Sequence, residues 1–218
     1  SNYGEGPVRV DLEGFDYEGR VVEEYGAGEG LYLGSGEQEA RLTSEYFAEE
    51  DMTWIEATAE APTVGGLFLV GDGRSRLDGA PPLPFPSKDS CLLSLFDGET
   101  AFRGRPARSM VYLANPNLHT VELELRLFAD DSGQPVTVGR YHLLPKGHLS
   151  GRLTELLPGI DSLSGGYLEV EAVQGAGAVS YALVEVGERS SLFGLAGAQT
   201  EQVTELFSGQ FAEGPKIF

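Results

Sequence analysis

Cysteine, histidine and lysine are scarce in this chain. Its 218 residues hold one cysteine, Cys91, which rules out an internal disulfide framework. Cys91 sits in the apolar run CLLSLF, where a buried, inert small hydrophobe is expected rather than a nucleophile. The three histidines are His119, His142 and His148, and no HExxH spacing occurs, so the sequence carries no zinc signature. His142 and His148 flank the LLPKG stretch and can approach each other across a hairpin. Two ligands make no zinc site, however, and solvated or edge histidines are the simpler reading. The only lysines are Lys88, Lys146 and Lys216, which leaves little material for lysine-based covalent chemistry. Basic residues number 15 against 34 acidic ones, a net charge of -19, and no basic run occurs. Phosphate backbones and anionic lipid surfaces are poor partners for such a chain, so no nucleic acid is expected. No apolar run approaches the ~20 residues of a membrane helix, so no membrane insertion is expected. The opening SNYGEGPVRV is not a signal peptide.

What the chain does have is glycine, proline and alternation. Thirty Gly and 12 Pro suit a protein of strands and turns. In Val121-Glu-Leu-Glu-Leu-Arg-Leu127 the apolar residues fall on every second position, which puts them on one face of a strand. Val8, Val10 and Leu12 do the same, as do Leu168, Val170 and Ala172, and Ile55, Ala57 and Ala59. LFLV from Leu67 and AVSYALV from Ala178 are apolar throughout. NPN at Asn115, DDSG at Asp130 and GAG at Gly175 mark turns. Helix signals are confined to RLTSEYF and RLTELLPG, single turns that Thr43 and Thr154 are expected to cap, with Pro158-Gly159 ending the second.

The chain also repeats itself. VRVDLEGFDYEGRVV begins at Val8 and VELELRLFADDSGQPV at Val121, 113 positions later. Trp54-Ile55-Glu56-Ala57 matches Tyr167-Leu168-Glu169-Val170 at the same offset. Arg41-Leu42-Thr43 matches Arg152-Leu153-Thr154, and Leu95-Phe96 matches Leu206-Phe207, both at 111. Matches in constant order, with offsets that vary by loop-sized amounts, indicate two copies of one unit. The expected fold is therefore all-β: two tandem, internally homologous antiparallel β-sandwich domains, each with a short helical turn. The expected boundaries are 1–96 and 97–218, dividing near 96–104. Leu123, Leu125, Leu168, Val170 and Leu183 are the expected core of the second unit, with Val10, Leu12, Ile55, Ala57 and Leu69 as counterparts in the first.

Chemistry-bearing motifs are absent. No GxSxG elbow occurs, and LGSGE around Ser35 lacks its spacing. YGAGEG at Tyr25 matches neither a dinucleotide fingerprint nor a P-loop. Asp16 with Glu18, and Asp130 with Asp131, are carboxylate pairs at turns, and neither DDSG nor GDG at Gly71 matches an EF-hand loop. No catalytic, cofactor-binding or metal-binding residue is assigned. One repeated feature suggests a ligand: Trp54 and Tyr167 hold equivalent places on the polar side of their strands, where an aromatic ring can stack on a sugar. The ordinary alternative is that each covers a sheet edge or packs at the domain junction.

The strand ending in Leu113-x-Asn115-Pro116, the run Val121 to Phe128, Leu153 to Gly159 and Gly166 to Ala172 resemble tandem Ig-like modules of secreted and cell-surface bacterial proteins. The resemblance covers the second unit well and the first weakly. It implies a non-enzymatic structural or adhesive surface module, extracellular or periplasmic, with an unknown protein or glycan partner. The alternative is a carbohydrate-binding module or an accessory domain of a glycan-processing protein, working through Trp54 and Tyr167. The first unit has no counterpart of the strand Ser109 to Ala114, and FSGQFAEGPKIF resembles FDGETAFRGRP. Gln210 to Phe218 is therefore expected to add a strand to the first unit, in the same chain or by strand exchange with another.

Overall fold

The computed structural model describes residues 1–25, 30–48, 51–66, 68–71, 77–80, 90–129, 133–160, 162–187, 191–196 and 198–199. Their architecture is antiparallel β-sheet. The first sheet is built on β1 (Val8–Phe15). β2 (Val21–Tyr25) and β3 (Leu31–Leu33) pair in succession along one edge of β1, and β4 (Trp54–Ala59) pairs along the other. The single-turn α1 (Thr43–Tyr46) precedes β4. β5 (Phe68–Gly71) and β6 (Leu77–Ala80) form a separate two-stranded ladder.

The larger sheet contains β7 (Ser90–Phe102), β8 (Arg105–Ala114), β9 (Val121–Phe128), β10 (Thr137–Leu143) and β11 (His148–Arg152). After α2 (Leu153–Leu156) come β12 (Leu163–Gln174), β13 (Val179–Val186), β14 (Ser191–Ala196) and β15 (Ala198–Gln199). The order is β10-β9-β12-β7-β8-β13-β14, with β11 on β8 and β15 on β7. β7 changes partner along its length. Ser90 to Asp97 pair with β12, and beyond Gly98 the strand pairs with β8. Gly98 sits at φ 137°, a conformation that side-chain-bearing residues rarely adopt, and the register shifts there. The stretch 96–104 thus lies within β7 and its turn into β8, and Cys91, Leu93 and Leu95 lie in the larger core.

That core draws on strands both before and after the change of partner. Leu93 and Leu95 from β7, Leu123 and Leu125 from β9, and Leu168 and Val170 from β12 pack with Val111 and Leu113 from β8 and Ala182 from β13. Period-two alternation placed Leu123, Leu125, Leu168 and Val170 correctly. Leu183 is a correction, being only half-buried. The buried face of β13 carries Ser180, Ala182, Val184 and Val186. In AVSYALV apolar residues occupy both faces, so no alternation distinguishes them.

The first sheet has a smaller core. Val8, Val10 and Leu33 are buried, and Leu12 and Ala59 pack against them as partly buried neighbours. Ile55 and Ala57 correct the expectation of burial: Ile55 is 39% exposed, and Ala57 is exposed as well. The face was read correctly, because Ala57 is opposite Leu12 and Ala59 opposite Val10. What differs is the cover over that face. The side chain of Leu69 lies outside the described set, as do Asp130 and Asp131, the GAGE at 26–29, most of the GDG stretch and the tail Gln210 to Phe218.

Both helical turns start earlier than their threonines suggest, the first by one residue and the second by two. The cap positions are Leu42 and Arg152, with Thr43 and Thr154 inside the first turn. The backbone N–H of Leu42 donates to Glu45 Oε2 at 2.6 Å, and that of Arg152 to Glu155 Oε2 at 2.8 Å. A glutamate reaching back supplies the end-capping that the hydroxyl was expected to give.

Candidate functional site

The β1–β4 register sets Phe15 opposite Trp54. Their rings stack with centroids 4.8 Å apart and planes 19° apart. In the second sheet Phe128 stands opposite Tyr167, and those rings stack at 4.7 Å and 12°. Each predicted stacking residue is half-buried, with one aromatic face covered by a phenylalanine.

Trp54 carries a further bond. Its indole N–H donates to the backbone carbonyl of Lys146 at 2.8 Å. Lys146 lies in the tight turn between β10 and β11, at φ 58°, unusual for a residue with a side chain. Its ammonium donates to Glu56 Oε2 at 2.6 Å and to the Pro116 carbonyl at 2.7 Å, and lies 5.7 Å from the centre of the Phe15 ring. The side chains of Lys146 and Glu56 are only 14% and 18% exposed, so solvent screens the pair weakly. The β1–β2 turn closes on the same loop. The Tyr17 backbone carbonyl accepts from the His148 backbone N–H at 3.0 Å. At Gly19 an added Cβ would come within 1.9 Å of the Pro145 carbonyl oxygen, so no other residue fits there. Trp54, Glu56, Phe15, Lys146 and the Asp16–Arg20 turn together fasten the first sheet to the second.

Two asparagines recur in the same manner, 113 positions apart. Asn2 Nδ2 donates to the carbonyls of Gly6, Leu33 and Gly34, while its Oδ1 accepts from the Gly4 N–H. Asn115 Nδ2 donates to the carbonyls of His119, Leu143 and Leu144, while its Oδ1 accepts from the Asn117 N–H. Both are buried. Sequence reading took Asn115 for a turn marker and passed over Asn2. The 113-residue offset of Val8 and Val121, applied six positions earlier, would have found it.

The outer face of β9, β10 and β12 carries an ion network. Glu124 accepts from Arg126 Nε at 2.6 Å and Arg140 Nε at 2.9 Å, and Arg126 also reaches Glu169 at 3.2 Å. The two guanidiniums hold the Glu124 carboxyl below its ordinary range. Burial raises the pKa of Asp16, but this is outweighed by hydrogen bonds from Arg20 and the Glu18 N–H, which leave it below its ordinary value. His142 faces Glu122 at 3.6 Å, while His148 stacks on Tyr112, so the two histidines have different partners. Burial depresses the pKa of His148. Cys91 is buried against the Ser180 hydroxyl at 2.8 Å, and desolvation pushes its thiol up to about 11.

No family model and no curated protein matches this chain. Among solved structures, the crystal structure of Thermotoga maritima 1070 is similar over 52% of this chain and 96% of its own, with 18% identity and a TM-score of 0.42.

Proposed function

We propose that the chain is a non-enzymatic structural or adhesive module of a bacterial cell surface, built from two tandem β-sandwich units descended from one. The observation that carries this reading is the recurrence of structural devices. The stacked pairs Phe15–Trp54 and Phe128–Tyr167, the amides of Asn2 and Asn115, and the glutamate caps Glu45 and Glu155 occupy matching places. All of them hold backbone or pack rings. The polar groups repeated between the units serve the scaffold, which suits a protein whose task is to keep its shape between two attachments. A net charge of -19 keeps such a module soluble and apart from its copies. The test is antibody labelling of intact cells that express the native gene. Labelling before lysis supports the reading, and labelling only after lysis overturns it.

Carbohydrate binding ranks second, favoured by the matched half-exposed aromatics Trp54 and Tyr167. The indole N–H is engaged and one face of each ring is covered, which leaves at most the opposite face of each ring to stack on a sugar. Glycan-array binding that disappears in Trp54→Ala and Tyr167→Ala but survives in Leu118→Ala would reverse the ranking.

A further inference from the structure

The turn between β10 and β11 meets two other loops, main chain to main chain. The Lys146 N–H donates to the Asn117 carbonyl at 3.1 Å, on the loop from β8 to β9. The His148 N–H donates to the Tyr17 carbonyl, on the turn from β1 to β2. Three large apolar side chains stand on these loops. Leu118 is 83% exposed, Tyr17 63% and Leu144 53%, and Pro145 beside Leu144 is exposed as well. Single exposed apolar residues are ordinary. The repeat shows that Leu118, Leu144 and Pro145 are not demanded by the scaffold. Asn2 holds the carbonyls of Gly6, Leu33 and Gly34 as Asn115 holds those of His119, Leu143 and Leu144. The two turns also close alike. The Glu37 N–H donates to the Gly34 carbonyl at 3.0 Å and the Gly147 N–H to the Leu144 carbonyl at 2.8 Å, with Gly36 and Lys146 both at positive φ. At the matching positions the first unit carries Glu5 for Leu118, Gly34 for Leu144 and Ser35 for Pro145. The same turns thus close with polar residues and glycine. Nor does the joint between the sheets account for the apolar set, which stays exposed with the joint formed.

We propose that Tyr17, Leu118, Leu144 and Pro145 form a docking surface for a protein partner that presents apolar side chains within a Lys- and Arg-rich surface. Clustered apolar residues rimmed by polar ones mark interaction sites. Charge selects the kind of partner. The chain carries a net charge of -19, and the exposed Glu18 adjoins Tyr17. A second copy brings the same charge and is repelled, as are nucleic acid and anionic lipid. A cationic rim is attracted and steered to the surface, while the apolar residues hold it once docked. The loops that carry the set are fixed by the Asn115 amide and by the Lys146 and His148 backbone bonds, so little ordering is needed on binding. The proposal goes beyond the surface-module reading and is independent of where the protein resides. It rests on the equivalence of the two units.

The test is binding of the full chain to an array of short synthetic peptides. Each peptide combines Leu, Val and Phe with Lys and Arg in one series, and with Glu and Asp in the other. The Lys and Arg series is expected to be retained, and about tenfold or more weakly by the double variant Leu118→Glu with Leu144→Gly. That variant carries the first unit's own residues. It also adds a negative charge, so attraction of cations to an acidic protein in general predicts equal or tighter binding by the variant. Val136→Glu, at an apolar position 53% exposed at the far end of β10, is expected to bind as the parent does. Urea unfolding controls for folding, and Leu118→Ser with Leu144→Ser replaces the double variant if it fails. Absence of retention by the parent overturns the proposal, as does equal retention of both series or equal binding by the double variant. A dimeric mass in light scattering that the double variant loses also overturns it, in favour of a second copy. Equivalence of the units is read separately, from Asn2→Ala and Asn115→Ala, so the two failures remain distinct.

Discussion

The indole N–H of Trp54 donates to the Lys146 carbonyl across 92 positions of sequence, and the Lys146 ammonium returns to Glu56, two residues beyond Trp54. Each side chain thus fixes the segment that carries the other. Trp54→Phe keeps the ring and removes the bond, which should cost about 0.5–1.5 kcal/mol in urea unfolding. Lys146→Met should cost more, about 1.5–3 kcal/mol, because Glu56 loses a charged partner in a site that is largely out of water. In the Glu56→Gln background the Lys146→Met penalty should shrink. An unchanged penalty would mean that the pair contributes nothing.

Asn2→Ala and Asn115→Ala should both destabilise, by amounts in the same range. Each leaves three carbonyls and a turn N–H without their side-chain partner. A buried polar group left unpaired costs about 1–3 kcal/mol. Differential scanning calorimetry of the two variants and the double variant checks this. If one loss is large and the other negligible, the two asparagines are not equivalent.

Leu125→Ala should cost about 2–5 kcal/mol, since the side chain is fully enclosed in the larger core. Ile55→Ala should cost under about 1.5 kcal/mol, less than the range for a packed isoleucine, because the residue is 39% exposed. Chemical denaturation of the two variants makes the comparison.

Acid should weaken the fold in two windows. Asp16 and Glu124 are held below their ordinary values of 3.8 and 4.5, so their contribution is complete above those values and is lost as pH falls through the lower folded ones. His148 is also depressed, from 6.5, by burial of the neutral ring. Its contribution is complete above 6.5 and declines as pH falls below it, because the unfolded chain takes up the proton first. Glu124→Gln should be less stable than the parent at pH 7, with the gap closing below about pH 4. His148→Gln should flatten the parent's decline between about pH 6.5 and 5. Urea midpoints across pH measure both.

The Cys91 thiol should resist disulfide reagents at pH 8, because it is buried and raised to about 11. Reaction at the unfolding rate is expected. Immediate reaction of the native protein would contradict the burial.

The sequence by itself determined the strands and most of their faces. Alternation at Val121 to Leu127 has one physical solution, because successive side chains of a strand point to opposite sides. The 113-residue offset was equally legible, since the stacked rings and the paired asparagines obey it. Tertiary structure alone decided what covers each face. Ile55 and Leu168 carry the same local pattern, yet one is exposed and the other enclosed, because burial depends on strands distant in sequence. The partner change at Gly98 was hidden as well, since a strand's pattern records which side is apolar and not which neighbour accepts its hydrogen bonds. The Trp54–Lys146 bond was invisible for a simpler reason. A backbone carbonyl belongs to every residue alike, so no choice of side chain announces that a particular one will be used.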